Sequence, residues 1–177
     1  MSPSILVAGI GNIFNRDDAF GVTVASKLIQ RSLPSNVRAV DFGIRGFDLM
    51  LALLEAYDLT IFVDATSRGG APGTLYTIDA DLETLEQSGE VALFENAHGL
   101  DPLKVLALAK SLGASLGRVI VIGCEPAILE DETGQIGLSE IVQSAVDPAI
   151  EIIQSLIDDF SEQWTDIGSG IERWDRT

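Results

Sequence analysis

The sequence predicts a single α/β domain: a twisted, mainly parallel central sheet of about five strands with helices on both faces. Three observations lead there. The runs 5–10, 59–65 and 118–123 are short and almost wholly apolar, without the polar alternation of a half-exposed sheet. That is the pattern of strands covered on both faces. Segments of helical periodicity separate such runs. The first run breaks at Gly9-Ile10-Gly11-Asn12 and passes into a helical pattern at Asp17-Asp18. A strand, a glycine-rich turn and a helix open many parallel-sheet domains.

The elements follow in order. Residues 5–10 form the first strand. A helix over 18–32 places Phe20, Val24 and Leu28 beside Ala25 and Ile29 at helical spacing. Leu33-Pro34-Ser35-Asn36 is a turn, and 37–42 is the second strand, running into Asp41-Phe42-Gly43. A short helix over 46–56 turns Leu49, Leu53 and Leu54 inward. The third strand, LTIFVDA, closes on Asp64. After a Gly- and Pro-rich turn, 73–78 alternates as a fourth strand should. The acidic stretch 79–91 is ambiguous and is assigned to the surface. Residues 95–99 are a loop holding the only histidine, His98. Asp101 and Pro102 supply the cap and first position of a helix that stops at Gly113. Residues 118–123 are another buried strand, and 124–137 a loop. A long amphipathic helix over 138–157 is expected to kink or break at Pro148. Residues 1–157 therefore form the domain. Residues 158–177 read as a polar, poorly ordered tail carrying Trp164 and Trp174.

Composition narrows the function. The 177 residues suit one core, and 46% are apolar. A net charge of −16 repels nucleic acid and anionic membranes. The single cysteine, Cys124, excludes an internal disulfide and a cysteine-based zinc or iron–sulfur site. No secretory signal and no run long enough to span a bilayer is visible, so the cytoplasm is the expected compartment.

Asp18, Asp64 and His98 carry the chemistry. Ligands of open α/β sheets bind beyond the carboxyl ends of the strands, at the switch point. In the strand order 2-1-3-4-5 that point lies between strands one and three, where Asp18 and Asp64 emerge. A later loop can bring His98 over the same crevice. Two carboxylates and an imidazole leave open positions on nickel, zinc, iron or manganese without choosing among them. Such a metal can polarise a peptide carbonyl or acidify water. Each residue also has a plainer use. Asp17 and Asp18 sit where carboxylates stabilise any helix N-terminus. Asp64 can cap a turn, and a lone loop histidine is commonly a surface residue. Other chemistry lacks its motif. The dinucleotide fingerprint fails at Phe14, and there is no Walker loop, zinc-protease helix or nucleophile elbow around Ser67. Cys124 follows a buried strand and reads as a core residue.

These residues match a known family. Gly9-Ile10-Gly11-Asn12 precedes Asp17-Asp18-x-x-Gly21, Asp41-x-Gly43 and Val63-Asp64-Ala65. Ala71-Pro72-Gly73, His98-Gly99-Leu100, Gly123-x-Glu125-Pro126 and Gly137-Leu138-Ser139 follow in order. The series, from about Ile5 to Ile157, resembles the nickel–iron hydrogenase maturation endopeptidases. The resemblance implies removal of a C-terminal peptide from the hydrogenase large-subunit precursor after nickel insertion. It implies metal contact by Asp18, Asp64 and His98, with the nickel held by the precursor's thiolates and serving as the recognition element. The isolated chain could take up another divalent metal. Asp41 matches an acid concerned with substrate handling, and Asp17 or Asp41 is a candidate base. Gly43 and Glu125 match positions without an assigned task. The absence of a separate nucleophile favours attack by water in an aspartyl-type peptidase, expected to be a monomer. Three alternatives remain at this point: a non-catalytic nickel-sensing chaperone of the same precursor, a nucleotide-binding α/β enzyme using the glycine turn, and a general divalent-metal peptidase.

Overall fold

The computed structural model describes residues 2–80, 102–129 and 135–171. Its strands are β1 (Ile5–Ile10), β2 (Val37–Gly43), β3 (Leu59–Ala65), β4 (Leu75–Asp79) and β5 (Arg118–Cys124). They form one five-stranded sheet in the order β2-β1-β3-β5-β4. β2, β1, β3 and β5 are mutually parallel, and β4 runs antiparallel along β5 at the edge. The expected single α/β domain with a mainly parallel sheet is what forms.

The place of β4 differs from the simple sequential order. β5 takes the position beside β3, and β4 is pushed to the rim. A parallel neighbour needs a crossover of a dozen residues or more, and the link between β3 and β4 is shorter. That link instead wraps the end of β5. Thr66 N–H donates to the Cys124 carbonyl (2.8 Å), Gly73 N–H to the Glu125 carbonyl (2.8 Å), and Glu125 N–H to the Thr74 carbonyl (2.8 Å).

Strand alternation sorts the apolar side chains into two cores. Ile5, Val7, Ile61 and Val63 face helices α1 (Phe20–Ile29) and α4 (Glu140–Ile171). Leu6, Ala8, Ile10 and Phe62 face α2 (Gly46–Leu53) and α3 (Pro102–Ser111). Each such large side chain contributes about 1.5–3 kcal/mol by leaving water. The result is a three-layer sandwich whose loops at the carboxyl edge are free to carry function.

Three boundaries depart from expectation. The first helix begins later, because a 3-10 turn, Arg16–Ala19, precedes α1 and holds both Asp17 and Asp18. α4 starts at Glu140 and passes through Pro148 without ending. Pro148 is exposed, so its ring lies away from the core while Ala149, Ile150 and Ile153 stay packed. α4 also continues past Asp158 to Ile171, where the sequence suggested an irregular tail. Phe160 packs on the core and stacks at 5.7 Å against Trp164, so apolar contact carries the helix onward. Trp174, His98 and Asp101 lie outside the described residues.

Candidate active site at the carboxyl edge of the sheet

β1 lies between β2 and β3, so the loops after these strands meet at one edge. Gly9 pairs with Asp41 of β2 on one side and Val63 of β3 on the other. Asp41 and Asp64 therefore flank the glycine turn, and Asp18 rises from it.

The glycines exist for close packing. A Cβ on Gly9 would stand 2.4 Å from the Gly21 carbonyl oxygen. A Cβ on Gly21 would stand 2.0 Å from the Val63 oxygen and 2.4 Å from the Ile10 oxygen. The first turn of α1 is thus pressed onto the ends of β1 and β3, next to Asp64. Gly11 has φ +129, and a side chain there would strike the Asp18 carbonyl. The turn is closed by its own backbone, and Asn12 N–H is spent on Asp18 Oδ2 at 2.9 Å. A phosphate would need such N–H groups free, which removes the basis of the nucleotide-binding alternative.

Asp18 is partly buried. That burial raises its carboxyl above the ordinary 3.8, opposed by the hydrogen bond from Asn12. Oδ2 is held by Asn12, while Oδ1 accepts no hydrogen bond among the described residues. Arg16, two residues earlier, sits at φ 49, the left-handed region a side chain rarely adopts. Asp41 Oδ1 is buried with no hydrogen-bond partner among the described residues. Its own backbone carbonyl accepts from the Arg45 guanidinium. Asp64 is half-buried at the end of β3. Its neighbours Val63 and Ala65 pack into the α1/α4 core, so alternation turns Asp64 to the other face of the sheet. His98 lies outside the described residues. Among the described residues no three His, Cys, Asp or Glu side chains are grouped to hold a metal ion. The structure thus brings Asp18, Asp41 and Asp64 to one edge.

Two further acids support the site. Asp17 is fully buried, 0% exposed. Its carboxylate accepts from Ala127 N–H (2.9 Å), Ile128 N–H (2.8 Å), Ser139 N–H (2.6 Å) and Ser139 Oγ (2.9 Å). So enclosed, it has no face toward a substrate, and the base role suggested for it does not fit. Glu125 is also buried. It accepts from Arg68 N–H (2.8 Å), Gly69 N–H (3.2 Å) and Tyr76 Oη (2.8 Å). The Arg68 amide, then the Tyr76 hydroxyl, hold its carboxyl below 4.5. Sequence reasoning left Glu125 without a task; its position between a buried strand and Pro126 was the visible sign of a constrained acid. Cys124 is fully buried, and burial first, with Asp17 and Glu125 nearby, pushes its thiol up to about 12. It is no nucleophile.

A family model for hydrogenase maturation protease matches residues 22–156. The chain belongs to the hydrogenase maturation protease family. It is a peptidase accordingly. The hydrogenase 2 maturation protease of Escherichia coli is 32% identical over 151 residues, 83% of this chain and 86% of that protein. The hydrogenase expression/formation protein HupD of Rhodobacter capsulatus is 36% identical over 148 residues, 82% of this chain and 67% of its own. The solved hydrogenase maturating endopeptidase HybD from Escherichia coli superposes with a TM-score of 0.71 at 28% identity, covering 88% of this chain and 93% of that one. In this maturation protease the glycine turn, the edge acids and the two buried acids form one framework. No helix of the described residues is long and apolar enough to cross a membrane.

Proposed function

We propose that this protease removes the C-terminal peptide from a nickel–iron hydrogenase large-subunit precursor after nickel insertion, recognising the nickel that the precursor carries. The observation that carries the reading is Asp18. Its carboxylate is oriented by Asn12 N–H at one oxygen, and the other accepts no hydrogen bond among the described residues. It stands at the switch point beside Asp64. An oxygen ligand of this kind suits a divalent metal that arrives with open positions. Asp18, Asp64 and His98 are assigned as the groups that dock on the substrate's metal and so place the scissile bond. Asp41, whose buried Oδ1 has no hydrogen-bond partner among the described residues, is assigned to a donor on the substrate or to the attacking water. An orphaned buried acceptor costs about 1–3 kcal/mol, and a substrate donor there would recover it.

The surroundings suit a protein substrate. Ile13 and Phe14 on the first loop, and Ile44 and Phe47 after β2, are exposed, Phe14 by 70% and Phe47 by 69%. Exposed apolar side chains beside a site are typical of surfaces that dock other proteins. With Cys124 buried, no thiol competes for the role of nucleophile, and water attacks.

The test is to incubate the chain with its cognate precursor, with and without nickel, and follow the precursor's mass. Cleavage that needs nickel and is lost in His98→Ala and Asp18→Asn supports the reading. Nickel-dependent binding without cleavage would replace it with a chaperone role. Cleavage of unrelated peptides would replace it with a general metallopeptidase. Before substrate arrives the chain should hold little metal; stoichiometric metal surviving dialysis would contradict that.

A further inference from the structure

Asp17 and Glu125 are joined by one short piece of chain. Asp17 grips Ala127 and Ile128 through their N–H groups and returns its own N–H to the Ile128 carbonyl at 3.0 Å. It also grips Ser139 through backbone and hydroxyl. Glu125 lies two residues before Ala127. Its carboxylate collects Arg68 and Gly69, in the loop that leaves Asp64, and Tyr76 of β4. Its backbone is held through both its N–H and its carbonyl by Thr74 and Gly73, at the far end of the same loop. Pro126 stands between the two grips and locks its own φ. Asp17 is the immediate neighbour of Asp18. The segment Glu125-Pro126-Ala127-Ile128 therefore touches the loop of Asp64 on one side and the turn of Asp18 on the other.

We infer that this segment is a bracket that sets the separation of Asp18 and Asp64, with Asp17 and Glu125 as its positioning residues. Neither acid meets the substrate. They act through Asp18 and Asp64, and the inference rests on the reading above that those two acids face one substrate group. The geometry is economical of freedom. Charge-assisted hydrogen bonds to buried carboxylates are the stronger kind, and here they tie three loops that are remote in sequence. They add to the packing of Gly21 on the Val63 and Ile10 carbonyls and to the backbone bonds that join Thr66 to Cys124 and Glu125 to Thr74. Misplacement of a catalytic group by about 1 Å can cost on the order of 100-fold in rate.

The experiment uses two mild variants, since Asp17→Ala or Glu125→Ala could simply fail to fold. Ser139→Ala removes one bond to Asp17, and Tyr76→Phe removes one to Glu125. Amide hydrogen exchange is read first. Ser139→Ala should speed exchange at Arg68 and Gly69, across the bracket, by about threefold or more. Tyr76→Phe should do the same at Ala127 and Ile128. Exchange that changes only on the side mutated overturns the bracket. Cleavage of the nickel-loaded precursor is read second. Each variant should lower kcat about tenfold with KM little changed, and the double variant should lose less than the product of the two, because either break already frees the spacing. Multiplicative losses overturn the inference. A wild-type chain that fails to cleave overturns the proposed function, and the exchange result then still decides whether the bracket exists.

Discussion

Two carboxylates adjacent in sequence, Asp17 and Asp18, have opposite fates. Asp17 spends both oxygens on backbone and hydroxyl donors from far along the chain. Asp18, half-buried at the edge, has one oxygen that accepts no hydrogen bond among the described residues. Asp18→Asn keeps the acceptor for Asn12 and removes the charge. It should cut precursor cleavage at least about 100-fold, in line with losing an electrostatic contact made at the reacting centre, while the melting temperature holds. A large loss of stability would show Asp18 to be structural. Glu125 allows a pH prediction. Its carboxyl is held below 4.5, first by the Arg68 amide and then by Tyr76. A lowered acid pKa contributes stability above the unfolded value, lost as pH falls through the folded value. The wild type should therefore lose its advantage over Glu125→Gln as pH drops below 4.5, measured by thermal melts across pH. The same bond raises the Tyr76 phenol above 10.0, with the hydrogen bond to Glu125 as the main cause. Glu125→Gln should bring its absorbance titration back toward that value.

At the scale of elements, the contact of α1 with the strand ends sets the site. Gly21 allows the Val63 and Ile10 carbonyls to approach to distances no side chain permits. Gly21→Ala should destabilise the fold by about 1–3 kcal/mol, as overpacking does, and should also lower cleavage by lifting the Asp18 turn from Asp64. Denaturant melts and activity together check this; a stability loss with full activity would separate the turn from the site. The long α4 invites a second test. Truncation after residue 165 keeps Phe160 and Trp164 and should leave the melting temperature nearly unchanged. Truncation after Ile157 removes Phe160 from the core and should lower it by several degrees.

For the whole molecule, charge and exposed apolar surface decide behaviour together. A net charge of −16 opposes compaction through self-repulsion. Raising salt from about 0.01 M to 0.5 M shortens the screening length from about 30 Å to a few ångströms and should raise the melting temperature. The apolar side chains at the carboxyl edge, Phe14 and Phe47 among them, should instead govern docking. Phe14→Ser with Phe47→Ser should raise KM for the precursor about tenfold with kcat kept, the pattern of lost uniform binding. Unchanged KM would place the docking surface elsewhere.

The parallel layering was legible because a strand buried on both faces reads as a nearly continuous apolar run, as Ile5–Ile10 does throughout and Leu59–Ala65 does apart from Thr60 and Asp64. The edge acids were legible for a related reason. Asp18 follows one such strand, Asp64 lies at the end of another, and Asp41 sits near the end of the neighbouring β2; parallel topology sends those ends to one side. The position of β4 and the length of α4 were not legible. Strand order depends on which loop is too short to cross, and a helix end on packing against Phe160 rather than on local pattern. Nor were the tasks of Asp17 and Glu125. Their donors lie up to 122 residues away, and a carboxylate's role is set by what surrounds it. Local sequence specifies which residues prefer to be buried or to turn; only the folded chain brings remote backbone N–H groups to an acid, and that decides whether it binds a loop or faces a substrate.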